Sequence, residues 1–286
     1  MHDSPFNQKN ILTAVFLSLV IIIISTYIQL NDKRTKIVFC DVGQGDAAYI
    51  RIKNRVDVLI DAGPDRKVLS CLGRHMPFWD RKFELVFLSH HDKDHYNGLN
   101  FLIDRYQINK IVTVNYRFDN QGYRHLEAKI RTKNINYTYA YQGAYYQVNN
   151  YAFSIYWPPK DLKSYDSNDY SLILVLEVKK PAGRFRAAFT GDASSYAMNS
   201  LSKQSFDKVS LLKIPHHGSK NGLTNYFLDL ADPEVGVISV GKNNQYNHPS
   251  KYVLDLLEAK NIKIRRTDKD GDIIIKIPNS KSQITN

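Results

Sequence analysis

Leu88-Ser-His-His-Asp-Lys-Asp-His-Tyr-Asn-Gly-Leu99 constrains this chain more than any other stretch. It follows the apolar run Glu84-Leu-Val-Phe-Leu-Ser89, which reads as a buried strand. Three histidines and two aspartates then fill positions 90 to 95. In extended backbone, residues i and i+2 share a face, so His90 and Asp92 converge while His91 points away. A helix opening near Asp94 or His95 turns those two side chains toward the same point. Four metal-competent groups then meet in one loop. Taken alone, the stretch also fits a polar loop in which Asp94 caps a helix.

Later stretches repeat the arrangement. Phe189-Thr-Gly-Asp192, Lys213-Ile-Pro-His-His-Gly-Ser219 and Asn247-His-Pro249 each lie just past a candidate strand. Strand ends at one edge are where α/β folds gather their sites. Asp192 follows a glycine and reaches forward without a bulky neighbour, which suits a carboxylate bridging two ions. His216 and His217 end another strand, and spacing leaves open which of them coordinates. His248 precedes a proline, which restricts it to extended backbone. Asp41-Val-Gly-Gln-Gly-Asp46 is a tight turn between strands and Asp61-Ala-Gly63 closes the next one. No helix follows the first turn, so it is a weak phosphate loop. Its acids, with Asp61, suit a role in orienting ligand histidines. Lys213, Lys220 and Lys242 stand near the same strand ends as candidates for phosphate contacts.

The 286 residues suffice for one sizeable domain. Short apolar runs alternate with turn signals from Lys36 onward. Strands are expected at 36–41, 47–53, 56–61, 84–89, 110–114, 151–157, 171–178, 185–190, 210–214, 235–240 and 272–277. Helical spacing fits 95–106, 121–133, 194–202, 223–231 and 250–260, and the Tyr-rich stretch 137–151 reads as strand and turn. Early strands in succession, then strands alternating with helices, predict an α/β protein with two sheets inside and helices outside. Ile11 to Leu30 carries no charge across 20 residues, the length of a membrane span. It lacks a small-x-small cleavage site and reads as an uncleaved anchor. Lys33, Arg34 and Lys36 outnumber Lys9, which by charge alone places the body on the cytoplasmic side. A formal charge of +11 favours a polyanionic partner, nucleic acid or an anionic membrane surface. Nineteen Tyr and thirteen Phe offer stacking surfaces for bases. Cys40 and Cys71 lie among apolar residues and are expected as small buried hydrophobes rather than a disulfide.

In their order and spacing, DVGQGD, LIDAG, SHHDKDH, NDYSLIL, FTGD, KIPHHGS, NHPS and RTDKDGDI resemble the metallo-β-lactamase-type domain of the ComEC competence proteins. The similarity runs from about Lys36 to Ile277. It implies an αββα sandwich over 36–278, preceded by one N-terminal transmembrane helix within 1–32 and followed by a polar tail, 279–286. It implies two divalent ions, Zn or Mn, held by His90, Asp92, Asp94, His95, Asp192 and His216, with Asp94, His217 and His248 in catalytic roles. Gln44, Asp46, Asp61, Asn168, Ser171, Lys213 and Lys220 are then expected to touch substrate or orient ligands. The wider superfamily has H-x-H-x-D-H; Asp92 replaces the second histidine here, as in the ComEC branch. The extra carboxylate makes the site harder, so Mn²⁺ suits it as well as Zn²⁺. The resemblance does not extend to the multi-helix channel of full ComEC proteins, so a stand-alone anchored hydrolase is expected rather than a DNA translocator. The implied function is a membrane-anchored nuclease on the extracytoplasmic side, acting on DNA in competence through a metal-activated hydroxide, with competence or DNA-uptake proteins as partners. A hydrolase of a small ester, lactone or envelope phosphoester and a non-catalytic DNA-binding module are the alternatives.

Overall fold

The computed structural model describes residues 8–31, 34–116, 120–148, 150–180 and 183–277. The N-terminal tail before Gln8 and the polar tail 279–286 lie outside the described residues.

Two seven-stranded sheets face each other. One runs, edge to edge, Ile273–Ile277, Thr35–Phe39, Ala48–Ile52, Val56–Ile60, Leu85–Phe87, Lys110–Thr113 and Asn136–Tyr139. The other runs Tyr145–Val148, Tyr151–Trp157, Ile173–Lys180, Gly183–Phe189, Leu211–Lys213, Val235–Ile238 and Lys263–Arg266. Each sheet is antiparallel where hairpins join its strands and parallel where helices intervene. The last strand pairs with the first domain strand, Thr35 opposite Ile277, so the fold closes on itself.

Alternation along each strand divides the apolar residues between two faces. Ile37, Phe39, Ile50 and Phe87 meet Phe153, Leu174, Leu176 and Phe189 between the sheets. The Phe39 and Phe189 rings stack across the gap with centroids 5.8 Å apart. On the outer faces, Val38, Tyr49 and Val86 lie under helices Lys67–His75 and Gln121–Thr132. Val175, Ala188 and Leu212 lie under Ser195–Ser200, Asn225–Ala231 and Lys251–Ala259. Asn120, Ser194, Thr224 and Ser250 cap these helices, each accepting a bond from the amide three residues on. The result is the αββα sandwich, with helices outside two packed sheets.

Several expectations shift. The helix expected over 95–106 is broken into Lys93–Tyr96 and Leu99–Leu102. Gly98 sits at the break, where a Cβ would overlap the Ala62 carbonyl oxygen, so the chain turns there to pass that strand end. Helix Lys67–His75 and edge strand Lys263–Arg266 were not expected. The helix is a single two-turn element that buries only Val68, Cys71 and Leu72, too few positions to mark a period. The strand has a single apolar residue, Ile264, and so gives no alternation. Cys40 and Cys71 form a disulfide across 31 residues, which corrects the expectation of two free buried thiols. Local sequence gives no sign of it, because the fold alone brings their Cα atoms to 5.7 Å.

Ahead of the sandwich, Gln8–Asn31 is one helix, and its segment Gln8–Ile28 is long and apolar enough to cross a bilayer. None of that segment is buried against the domain, as a span facing lipid requires and a core helix does not.

Candidate metal centre

The expected site residues come from the ends of four strands at one edge of the sandwich. Asp61 follows Val56–Ile60, residues 89 to 95 follow Leu85–Phe87, Asp192 follows Gly183–Phe189, and His217 follows Leu211–Lys213. Asp94, His95, Asp192 and His217 each offer a ligand atom within 4.8 Å of all the others. His95 Nε2 lies 3.2 Å from Asp192 Oδ1, and His217 Nε2 lies 3.2 Å from Asp94 Oδ2 and 3.3 Å from Asp192 Oδ2. His90 joins from the same loop, its ring 4.2 Å from that of His95 and its Nε2 3.5 Å from Asp92 Oδ2.

Hydrogen bonds fix which nitrogen each ring presents. His217 Nδ1 donates to the Ser239 carbonyl (2.9 Å), which leaves Nε2 facing the two carboxylates. His95 Nδ1 donates to Asp61 Oδ2 (3.0 Å). The Ser89 hydroxyl gives its proton to Asp61 Oδ2 (2.8 Å) and so accepts from His90 Nδ1 (3.0 Å). All three rings are therefore held by Nδ1 and aim Nε2 inward, the orientation that outer partners impose on metal-ligating histidines. Nε2 of His90, Nε2 of His95 and Oδ1 of Asp192 are buried without a hydrogen-bond partner. Such atoms are costly unless something else satisfies them.

The charges of these groups are tightly coupled. Burial pulls the His95 and His217 pKa values down, but Asp192, with Asp61 for the first and Asp46 for the second, raises both well above the ordinary histidine value. Burial raises Asp192, and His217 and His95 outweigh it and hold the carboxyl well below its usual range. Asp94 is likewise lowered, burial being overcome by His95 and His217. Buried protons shared among histidines and carboxylates mark a place that a divalent cation fits. Imidazole and carboxylate together suit Zn²⁺ or Mn²⁺.

His91 turns out of the centre, as alternation requires. Its Nε2 donates to the Thr113 hydroxyl (3.0 Å), which itself donates to the Leu88 carbonyl, and its ring stacks on Tyr123 at 3.7 Å. Burial, with His90 beside it, pushes its pKa down to about 3, so it is a neutral core residue. His216 is half-buried, with Nε2 3.9 Å from Asp192 Oδ2, at the rim of the cluster rather than within it. Both His216 and His217 occupy left-handed backbone, φ 50° and 53°. That conformation is costly for a side chain with a Cβ and persists where surrounding structure enforces it. Gly191, φ 50°, precedes Asp192, and a Cβ there would come within 2.6 Å of the Ser89 side chain. His248 ends the line of histidines, its ring 5.9 Å from that of His216 and its Nδ1 buried without a partner. Burial, then His216 and His217, lower its pKa to about 4.

The remaining expected residues divide. Asp61 holds both Ser89 and His95. Asp46 lies 3.4 Å from His217 Nδ1 and 3.8 Å from His95 Nδ1. Lys213, expected to reach phosphate, is instead buried; it pairs with Asp46 and donates to the Gly191 carbonyl (2.9 Å). It clamps two site loops together from behind. Gln44 accepts from the Gly241 amide (3.2 Å) and joins two loops at the same edge. Asn168 Oδ1 and Ser171 Oγ are buried without partners, and the neighbouring Ser167 donates to Asp92 (3.3 Å). Lys220 and Lys242 are exposed. Ser89, Thr113 and Ser239 were missed. Their roles depend on a hydroxyl or a backbone carbonyl beside a histidine, and no residue pattern signals that.

No family model matches the chain. Among curated proteins it is 27% identical over 251 residues to ComE operon protein 3 of Bacillus subtilis, covering 82% of this chain and 32% of that protein. It is 24% identical over 249 residues to Recombination protein 2 of Haemophilus influenzae (86% and 29%). It is 28% identical over 247 residues to Competence protein ComA of Neisseria gonorrhoeae (81% and 30%). The chain spans about a third of the length of these relatives. Two solved structures superpose with TM-scores of 0.55. One is the metallo-β-lactamase fold protein YhfI of Bacillus subtilis, 13% identical, covering 85% of this chain and all of that one. The other is Igni18, a metallo hydrolase of Ignicoccus hospitalis, 16% identical, covering 86% and all.

Proposed function

From a chain with the metallo-β-lactamase fold and curated homologues in the ComEC competence family, we infer a membrane-anchored, metal-dependent phosphodiesterase that cleaves DNA during its uptake. One observation carries the hydrolase reading. Three buried histidines are tied at Nδ1 and turn Nε2 inward, two of them within the cluster that holds Asp94 and Asp192. His90, Asp92, Asp94, His95, Asp192 and His217 would hold two divalent ions, with His216 moved to the rim. When bound, such ions supply a water acidified from about 15.7 toward 7 and positive charge beside the phosphoryl oxygens. Asp94, a third exposed, would orient that water and accept its proton. Asp61 and Ser89 keep His90 and His95 from turning. His216 and His248, half-buried beside the cluster, face an incoming phosphodiester. With its pKa near 4, His248 is neutral at pH 7 and serves as a hydrogen-bonding group to the phosphate or leaving oxygen rather than as an acid.

The charge of +11 supports a polyanionic substrate over a small neutral ester. The disulfide supports the extracytoplasmic side, because such bonds persist in oxidising compartments. That agrees with the family and opposes the flanking charges. The test incubates the full chain in detergent with single- and double-stranded DNA plus Mn²⁺ or Zn²⁺, with Asp94→Ala as control. Metal-dependent cleavage lost in the variant is expected. No cleavage with either metal, or equal cleavage by Asp94→Ala, overturns the nuclease; salt-insensitive turnover of a small ester places the chain with the small-molecule hydrolases.

A further inference from the structure

Apart from the histidine cluster, a second group of side chains converges with the spacing of a metal site and shares no residue with it. Cys71, His75 and Asp272 each offer a ligand atom within 4.8 Å of the others. Cys40 is bonded to Cys71, so its sulfur stands at the same place. Three elements bring the four residues together. Cys71 and His75 are four positions apart on helix Lys67–His75 and therefore share a face. Cys40 follows strand Thr35–Phe39, and Asp272 precedes strand Ile273–Ile277. Phe39 is paired with Ile273, and the next step along that register sets Cys40 beside Asp272. Asp272 Oδ1 accepts from the Asp41 amide (2.9 Å), and Oδ2 accepts from His75 Nε2 (2.8 Å).

Two thiolates, an imidazole and a carboxylate make a four-ligand set of the kind that closes around zinc. Bonds of about 2.0–2.3 Å place the ligand atoms of one tetrahedral zinc about 3.3–3.8 Å apart. Groups already within 4.8 Å of one another need only small shifts to reach that spacing. Both sulfurs are buried, while the His75 and Asp272 side chains remain 14% and 9% exposed, which gives an ion a way in from solvent. Arg74 also pairs with Asp272 (2.6 Å), but it is half exposed and turns to solvent without leaving a buried charge. While the disulfide is intact the sulfurs are not thiolates, and the set lacks two of its anions. We propose that, before the Cys40–Cys71 bond forms, these cysteines bind Zn²⁺, or a divalent ion of similar softness, together with His75 and Asp272. The bond and the ion are then alternative ways of holding helix Lys67–His75 to the sheet. On binding, each thiol gives its proton to solvent, and the His75 ring moves its proton to the nitrogen facing away from the ion. Oxidation passes two electrons from the sulfurs to an external disulfide, which takes up two protons and leaves as two thiols, and the ion is released.

The experiment keeps the full chain, in neutral detergent, in a phosphine reductant from lysis onward. Alkylation of an unfolded aliquot counts the two thiols. The chain is freed of metal by chelator and titrated with Co²⁺. The histidine cluster binds Co²⁺ as well but holds no sulfur, so thiolate-to-Co²⁺ charge-transfer absorption in the near ultraviolet reports the cysteine site alone. Reduced wild type should show that band, and the oxidised chain and Cys40→Ser/Cys71→Ser should lack it. His75→Ala and Asp272→Asn should each weaken binding at least about 10-fold. His75→Cys, which exchanges one ligand for another, should keep the site, and the melting temperature of each variant separates lost binding from lost folding. With Zn²⁺, native mass spectrometry should count one more ion on the reduced chain than on the oxidised one. Absence of the band from reduced wild type, or equal ion counts in the two redox states, overturns the proposal. So does full affinity in both His75→Ala and Asp272→Asn, which assigns the ion to the two sulfurs alone.

Discussion

The chain places two adjacent histidine pairs at the same edge and orients them by different means. His90 and His91 sit on extended backbone leaving a strand, so alternation sends one ring into the centre and the other onto Tyr123. His216 and His217 sit on consecutive left-handed residues, and both rings remain on the site's side at unequal depth. The first pair shows separation by pleat, which strand geometry enforces without further support. The second shows separation by a strained turn, which Gly218, the Gly191 carbonyl bonded to the His216 amide, and the Ser239 carbonyl bonded to His217 must hold in place. Inward and outward positions are absolute in the first pair and graded in the second.

The largest expected effect tests the graded pair. His217→Ala should lower metal-dependent activity by more than the roughly 10–100-fold that loss of an outer partner costs, and His216→Ala should cost less. Steady-state rates at saturating metal decide it, and the reverse order breaks the assignment. Metal linkage sharpens the contrast. An ion at about 100 times its Kd should stabilise the fold by about 2.7 kcal/mol, an increment removed by chelator. Melting curves should show that increment lost in His217→Ala and kept in His91→Ala. The outward ring should matter for stability alone. His91→Ala removes a stacked contact and a hydrogen bond, so about 2 kcal/mol of unfolding free energy should disappear while kcat stays near wild type.

Acid gives the smallest separation. Unfolded His91 takes up a proton near pH 6.5, and folded His91 does so only near 3. Between those values the unfolded state binds the extra proton, so the His91 contribution to stability is complete above 6.5 and falls as pH drops toward 3. His91→Phe keeps the ring and deletes the titration. Its urea midpoint, relative to wild type, should therefore rise as pH falls through that window. A parallel pH dependence in both proteins rules out a neutral His91.

These pairs also show where sequence is informative. His90, Asp92 and the exclusion of His91 follow from a period of two, which is local and needs no partner. The αββα order follows from runs of strands and helices, with boundaries moved by one or two residues at caps such as Thr224 and Ser250. His217 against His216 was not legible, because a left-handed histidine has no residue code and depends on packing around Gly218. The burial of Lys213 against Asp46 was equally hidden, since a strand-end lysine reads as exposed until an acid 167 positions earlier arrives beside it. Helix Lys67–His75 and the cysteine pair belong to the same class of long-range facts.

The Cys40–Cys71 bond has one more consequence, topological in kind. It turns residues 40 to 71 into a covalent ring that contains both Asp46 and Asp61, the two acids behind the histidines. By the chain-entropy estimate, closing a ring of this size stabilises the fold by about 3–4 kcal/mol. A protease that cuts once inside the ring cannot separate the N-terminal piece from the rest of the domain until the bond is reduced. A nicked chain should therefore migrate as one species without reductant and as two with it, an electrophoretic test of whether the bond has formed in the protein as isolated.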